Sequence, residues 1–235
     1  MRQSRPMAVV TATAVGLISV LAAVLIPSNA AADESPLYPP GAIEIPFSYH
    51  AQQNSDWCDP ADIEMWLQAD GVTLPAGGDQ AIQQQFWSYE TSHNDGYTIA
   101  EWNASPYAVA VTLDRFGDLG AGDAPQASLG AAGVVISRSI ALLRQPVIVM
   151  VSGGSHYVLV TGVELGEAGA AASPLAVTVA NPLQFGVGVS PPTGSSGAVT
   201  MSWSDFAAWY TPNTHHGGIW AGKWVLIANG IGLVE

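Results

Sequence analysis

The chain has 235 residues, a formal net charge of −13 at pH 7 and a single cysteine. A surface this acidic is repelled by phosphate backbones and anionic lipid, so nucleic acid is excluded as a partner and no stable membrane association is expected after signal cleavage. One thiol excludes an intrachain disulfide, leaving Cys58 as an apolar filler, an intermolecular link or a reactive group.

In chain order, Arg2 and Arg5 precede an uncharged apolar run, Met7 to Ile26, and then Pro27-Ser28-Asn29-Ala30-Ala31-Ala32. This is the pattern of a secretory signal over residues 1–32, cleaved near Ala30 to Ala32, with an uncleaved membrane anchor as the rival reading. Its removal leaves four basic residues against nineteen acids, a net charge of −15, and about 200 residues, enough for one sizeable core. Residues 33–45 form a Pro-rich extended lead-in (Pro36, Pro39, Pro40), and residues 46–235 are expected to form one domain.

A short strand is expected over Glu44 to His50. From Pro60 the apolar period becomes helical through Ile63, Trp66 and Leu67, and Gly71 ends the helix. A second helix is expected over Asp79 to Tyr89 with Asp79 as its cap, and a third over Ser105 to Phe116 capped by Ser105. Gly117 to Gly130 reads as a loop, and Ala132 to Leu143 as a fourth helix. Pro146 to Ser152 and His156 to Leu165 form a hairpin around Gly153-Gly154-Ser155, and Leu175 to Ala180 is a further strand ended by Asn181-Pro182. Gln184 to Thr200 reads as a Gly/Ser/Pro loop bordering a cleft. Trp203 to Tyr210 is a short helix and Lys223 to Ala228 a last strand. Helices followed by a mostly antiparallel sheet define an α+β fold.

Thiol catalysis of acyl transfer needs a sulfur held as thiolate, a base, a group that fixes the imidazole and donors for the oxyanion. Cys58 lies at or just before a helix N-terminus, where the helix dipole favours a thiolate. Adjacent Asp56 and Asp59 oppose this if they point inward.

Gln52-x5-Cys58-Asp59-Pro60-Ala61, the run Pro146-Val147-Ile148-Val149, His156-Tyr157-Val158-Leu159-Val160-Thr161-Gly162 and Asn181-Pro182 follow one another in this order. Together they resemble the papain-like cysteine peptidases, in particular the bacterial branch of bacteriocin-leader-processing (double-glycine) peptidases and their secreted relatives. The resemblance spans Ile45 to Ile227. It implies a papain-like arrangement of N-terminal helices on a mostly antiparallel sheet. It also implies Cys58 as nucleophile, His156 as general base and then acid, Asn181 as the group orienting the imidazole, and Gln52 as oxyanion donor, with Gln53 its neighbouring competitor. The chain departs from the pattern at Asp59, where relatives often carry Gly.

The function so implied is a secreted cysteine hydrolase acting on a peptide or protein through a thioacyl-enzyme. The alternatives are a thiol amidase or transpeptidase acting on cell-wall peptides, and a catalytically silent binding module of the same fold. A monomer without cofactor is expected. The remaining histidines, His50, His93, His215 and His216, show no metal-ligand spacing of a known type, so no metal is expected. Gly194-Ser195-Ser196-Gly197 lacks the strand-to-helix context of a serine nucleophile, and Gly186-Val187-Gly188 that of a dinucleotide loop.

Overall fold

A computed structural model describes residues 38–166 and 173–230. The signal-like segment and the first part of the lead-in lie outside the described residues. No helix among the described residues is long and apolar enough to cross a membrane. Among the described residues seven strands form one sheet: β1 (Gly41–Glu44), β2 (Ala121–Gln126), β3 (Val147–Val151), β4 (His156–Leu165), β5 (Ala176–Ala180), β6 (Ala198–Ser202) and β7 (Trp224–Asn229). Their order is β2-β7-β3-β4-β5-β6, and every pairing is antiparallel. The ten-residue β4 pairs with β3 along its first half and with β1 along its second.

Period-2 alternation sends successive residues of these strands to opposite faces. Ile148, Met150, Tyr157, Leu159, Val225 and Ile227 meet the helical layer of α1 (Cys58–Ala69), α2 (Asp79–Ser92) and α3 (Pro106–Gly117), packing with Met65, Trp66, Phe86 and Leu113. Val147, Val149, Val158, Val160 and Leu226 meet α4 (Leu129–Arg138) and α5 (Trp203–Trp209) through Ala132, Ile136 and Phe206. Covered on both faces, β3 is buried throughout, which is why Val147-Ile148-Val149-Met150-Val151 is an unbroken apolar run.

Helix ends follow local chemistry. The Ser105, Ser128 and Ser202 side chains accept from the N–H three residues on and cap α3, α4 and α5. α1 starts at Cys58, two residues before Pro60, because a proline in the first turn surrenders an N–H that has no intrahelical acceptor. α2 is capped by Gly78 rather than by Asp79, which is its first helical residue, and runs on to Ser92.

Four further expectations are corrected. The strand expected over 44–50 lies at Gly41–Glu44. Ile45 still donates to the Thr161 carbonyl at 2.8 Å, but Pro46 has no N–H to extend the ladder. β2 occupies the expected loop 117–130, where Pro125 is tolerated because β2 is an edge strand. β6, the opposite edge, occupies the end of the expected 184–200 loop. The fourth helix begins at Leu129, three residues early, and its last turn, Ser139–Leu143, is a wider π-turn closed by Arg144 at φ 58°.

Candidate active site

Cys58 is the first residue of α1 and is buried beside Tyr157 at the start of β4. Its Sγ donates to Asp59 Oδ1 at 3.7 Å and accepts from the Tyr157 backbone N–H. Burial, and then the Asp59 carboxylate, push the thiol well above its ordinary range, against the lowering from Tyr157. The α1 N-terminus is therefore not sufficient to make this sulfur a thiolate in the resting arrangement.

Burial of the sulfur is the larger cause, and the acids behind it add to it. Asp59, Asp62 and Glu90 are fully buried. Burial raises the Asp59 carboxyl to about 7, although a backbone N–H hydrogen bond lowers it. Glu90 is raised well above the carboxylate range by burial and by the charge of Asp59, and Asp62 by the same two causes. Like charges in so dry a place cannot all ionise, so the group retains protons near neutrality. Asp56, by contrast, is exposed to solvent.

The second part of the site is built by the sheet. His156 is the first residue of β4, and the register Leu159↔Ala180 brings Asn181, just past β5, to its side. His156 Nε2 lies 2.8 Å from Asn181 Oδ1. An amide oxygen only accepts, so Nε2 carries the proton and Nδ1 keeps its lone pair. Burial lowers the His156 pKa and the Asn181 bond raises it, leaving a net lowering and a neutral ring. Asn181 is held in turn: its Oδ1 also accepts from Leu183 N–H at 3.0 Å, and its carbonyl accepts from Tyr49 Oη at 2.8 Å. A side chain at Gly197 would collide with the Tyr49 ring, and Gly197 also adopts φ 76°. Tyr49 is a site residue that sequence reasoning missed, since nothing in its neighbourhood marks it.

Gln52 is fully buried, and its loop is tied to the Asn181 segment. Its N–H donates to the Pro182 carbonyl at 3.0 Å, and its own carbonyl accepts from Gly188 at 2.8 Å. Both side-chain amide protons are used locally, on the Asn54 carbonyl at 2.8 Å and the Ser55 carbonyl at 2.9 Å, while Oε1 has no partner. Gln53 turns back to the Ala51 carbonyl at 2.9 Å.

The structure thus joins His156 directly to Asn181, joins Gln52 to Pro182 through the backbone, and sets the Cys58 thiol against the residue after His156. No hydrogen bond links Cys58 and His156 themselves among the described residues. An apolar groove lined by Val179, Val199, Met201 and Trp209 opens beside Asn181 and Gln184. Three other histidines have structural partners. His215 Nδ1 meets the Gly153 carbonyl at 2.7 Å, His216 stacks on Trp102 at 4.0 Å, and His93 stacks on Tyr89 at 3.9 Å.

No family model and no curated protein matches the chain. Among solved structures it is similar to the double-glycine-motif protease of an AMS/PCAT transporter, crystallised with the leader peptide. The identity is 12% and the TM-score 0.41, over 81% of this chain and 97% of that one. It is similar to a C39-like peptidase from Bacillus anthracis, at 11% identity and TM-score 0.40, over 80% of this chain and 96% of that one. It is also similar to UfSP from C. elegans, at 14% identity and TM-score 0.42, over 84% of this chain but 35% of that one.

Proposed function

We propose that the protein is an exported, papain-like cysteine hydrolase that cleaves amide bonds in peptides or proteins. The observation that carries this reading is the 2.8 Å His156–Asn181 bond. It leaves Nδ1 of a neutral imidazole free to act as base, one residue along the strand from the amide that meets the Cys58 sulfur. In this reading Sγ exchanges Asp59 for His156 Nδ1, which takes the thiol proton. The thiolate attacks the scissile carbonyl, and His156 returns the proton to the leaving amine. Water activated by the same nitrogen then releases the acid from the thioester. The leading N–H groups of α1, which lack intrahelical acceptors, face the oxyanion. Gln52 joins them once its amide releases a loop carbonyl. The apolar groove beside Asn181 suits an apolar substrate side chain. Export rests on the signal-like pattern of residues 1–32.

A second reading, a binding module of the same fold without turnover, is favoured by the protonated thiol and the fully used Gln52 amide. Alkylation separates the two. Under the hydrolase reading, iodoacetamide or an epoxysuccinyl probe labels Cys58 rapidly at neutral pH, and His156→Ala slows labelling by about 10²-fold or more, the scale of a lost general base. Slow labelling that His156→Ala leaves unchanged sinks the hydrolase reading.

A further inference from the structure

A second cluster lies on the same loop and helix, outside the candidate active site. His50 precedes Gln52 by two residues, Glu64 projects from the second turn of α1, and Asp79 opens α2. His50 Nδ1 lies 3.4 Å from Glu64 Oε1 and 3.2 Å from Asp79 Oδ1, and all three ligand atoms lie within 4.8 Å of one another. Four ligands around zinc at roughly 2.0–2.1 Å sit about 3.3–3.4 Å apart, which is the spacing found around the imidazole.

The surroundings of these atoms point inward to the same place. Gln68 Oε1 lies 2.8 Å from His50 Nε2 and accepts its proton, so in the neutral ring the Nδ1 lone pair faces the two carboxylates. Gln83 Nε2 donates to Glu64 Oε2 at 2.9 Å, which fixes that carboxylate and turns Oε1 toward the imidazole. Glu64 is fully buried, and both its Oε1 and His50 Nδ1 are buried with no hydrogen-bond partner among the described residues. With the ring neutral, three electron-rich atoms therefore converge. A proton on Nδ1 is the competing occupant and would make the same two contacts ion pairs, although neither carboxylate oxygen meets the geometry of a ring N–H hydrogen bond.

We propose that His50, Glu64 and Asp79 form a binding site for a divalent transition-metal ion, with zinc the best fit. One imidazole and two carboxylates suit zinc better than calcium or magnesium, which prefer all-oxygen shells. Two carboxylates neutralise the dication, and Gln68 and Gln83 hold the ligands as outer-shell partners do. Asp79 is 40% exposed at its side chain and borders a surface groove with Gln53, Gly78 and Gln84, which leaves the fourth position to water. The ion would pin the loop carrying Gln52 to both α1 and α2. The site stands independently of the hydrolase reading, and its test reads binding rather than activity.

The test titrates zinc chloride into the full chain by calorimetry and thermal unfolding, in the native protein and in Cys58→Ser. One zinc per chain is expected in both, with the midpoint rising by about 5–10 °C at a hundredfold excess over Kd. His50→Gln and Glu64→Gln abolish binding, Asp79→Asn weakens it, and Gln68→Ala costs about 10- to 100-fold in affinity. His215→Gln leaves it unchanged. Cobalt(II) in the same site gives the d–d bands of a tetrahedral N/O site without a thiolate charge-transfer band. Should Glu64→Gln not fold, His50→Gln and the surface change Asp79→Asn still decide the matter. Absence of zinc binding by the folded native chain overturns the proposal. So does zinc that survives His50→Gln and Asp79→Asn, or zinc that is lost with Cys58→Ser alone.

Discussion

The two halves of the candidate active site are built differently, and they stand in different states. The sheet half, His156 and Asn181, comes from adjacent antiparallel strands whose register fixes the 2.8 Å bond, and its imidazole rests neutral with one nitrogen free. The helix half, Cys58, comes from the α1 N-terminus, and its sulfur stays protonated because it is itself buried, with the Asp59 and Asp62 carboxyls beside it adding to the effect. A helix dipole contributes up to about 2 kcal/mol in partly buried geometry. Desolvation of a fully buried thiol beside a carboxyl outweighs that. A helix N-terminus thus makes a cysteine reactive only when the groups packed behind it allow it.

Asp59→Asn strikes the contrast between the halves where it is greatest. Asp59 has a folded pKa of about 7 against an ordinary value of 3.8, so the folded state binds more protons between those values. The stability it contributes is fully present below the ordinary value and is lost as the pH rises through about 7. The loss is on the order of a few kcal/mol by about pH 8. Denaturant unfolding of the native chain at about pH 4, 6 and 8 should show this decline, and Asp59→Asn should flatten it. The same change should lower the thiol pKa and speed alkylation at about pH 7. A slope unchanged by Asp59→Asn would move the proton to another member of the cluster.

Asn181→Ala tests the other half. Freed from Oδ1, the imidazole loses both its tautomer and its orientation, and cleavage or alkylation should fall by about 10²-fold. Substrate affinity should change far less, which a kcat-against-KM comparison reads directly. Tyr49→Phe is the mildest probe. It removes the hydroxyl that holds the Asn181 carbonyl, costing about 0.5–1.5 kcal/mol in unfolding free energy. It leaves the His156–Asn181 bond itself in place. A loss of rate as large as that of Asn181→Ala would mean that Tyr49 positions the site and does not merely support it.

Much of this was legible in the residues. The β4 boundaries, the Asn181-Pro182 turn after β5, the Ser105 cap and the helical period of α1 are local signals, and each appears where its signal lies. The edge strands β2 and β6 were not legible. Ala121-Gly122-Asp123-Ala124-Pro125-Gln126 has no apolar alternation, and only the partner β7 makes it a strand. The destination of the Gln52 amide was equally hidden, because it depends on how the loop over residues 52–57 curls back on itself.

By itself, then, the sequence determined the order and type of the main elements and the identity of the groups that could do thiol chemistry. Periodicity, caps and turn residues act over a few positions and are written locally. The tertiary structure alone decided the electrostatics. Glu90 reaches Asp59 from another helix, and His50, Glu64 and Asp79 converge from a loop and two helices. Charge interactions and desolvation depend on distance and burial in space, and neither is encoded in spacing along the chain.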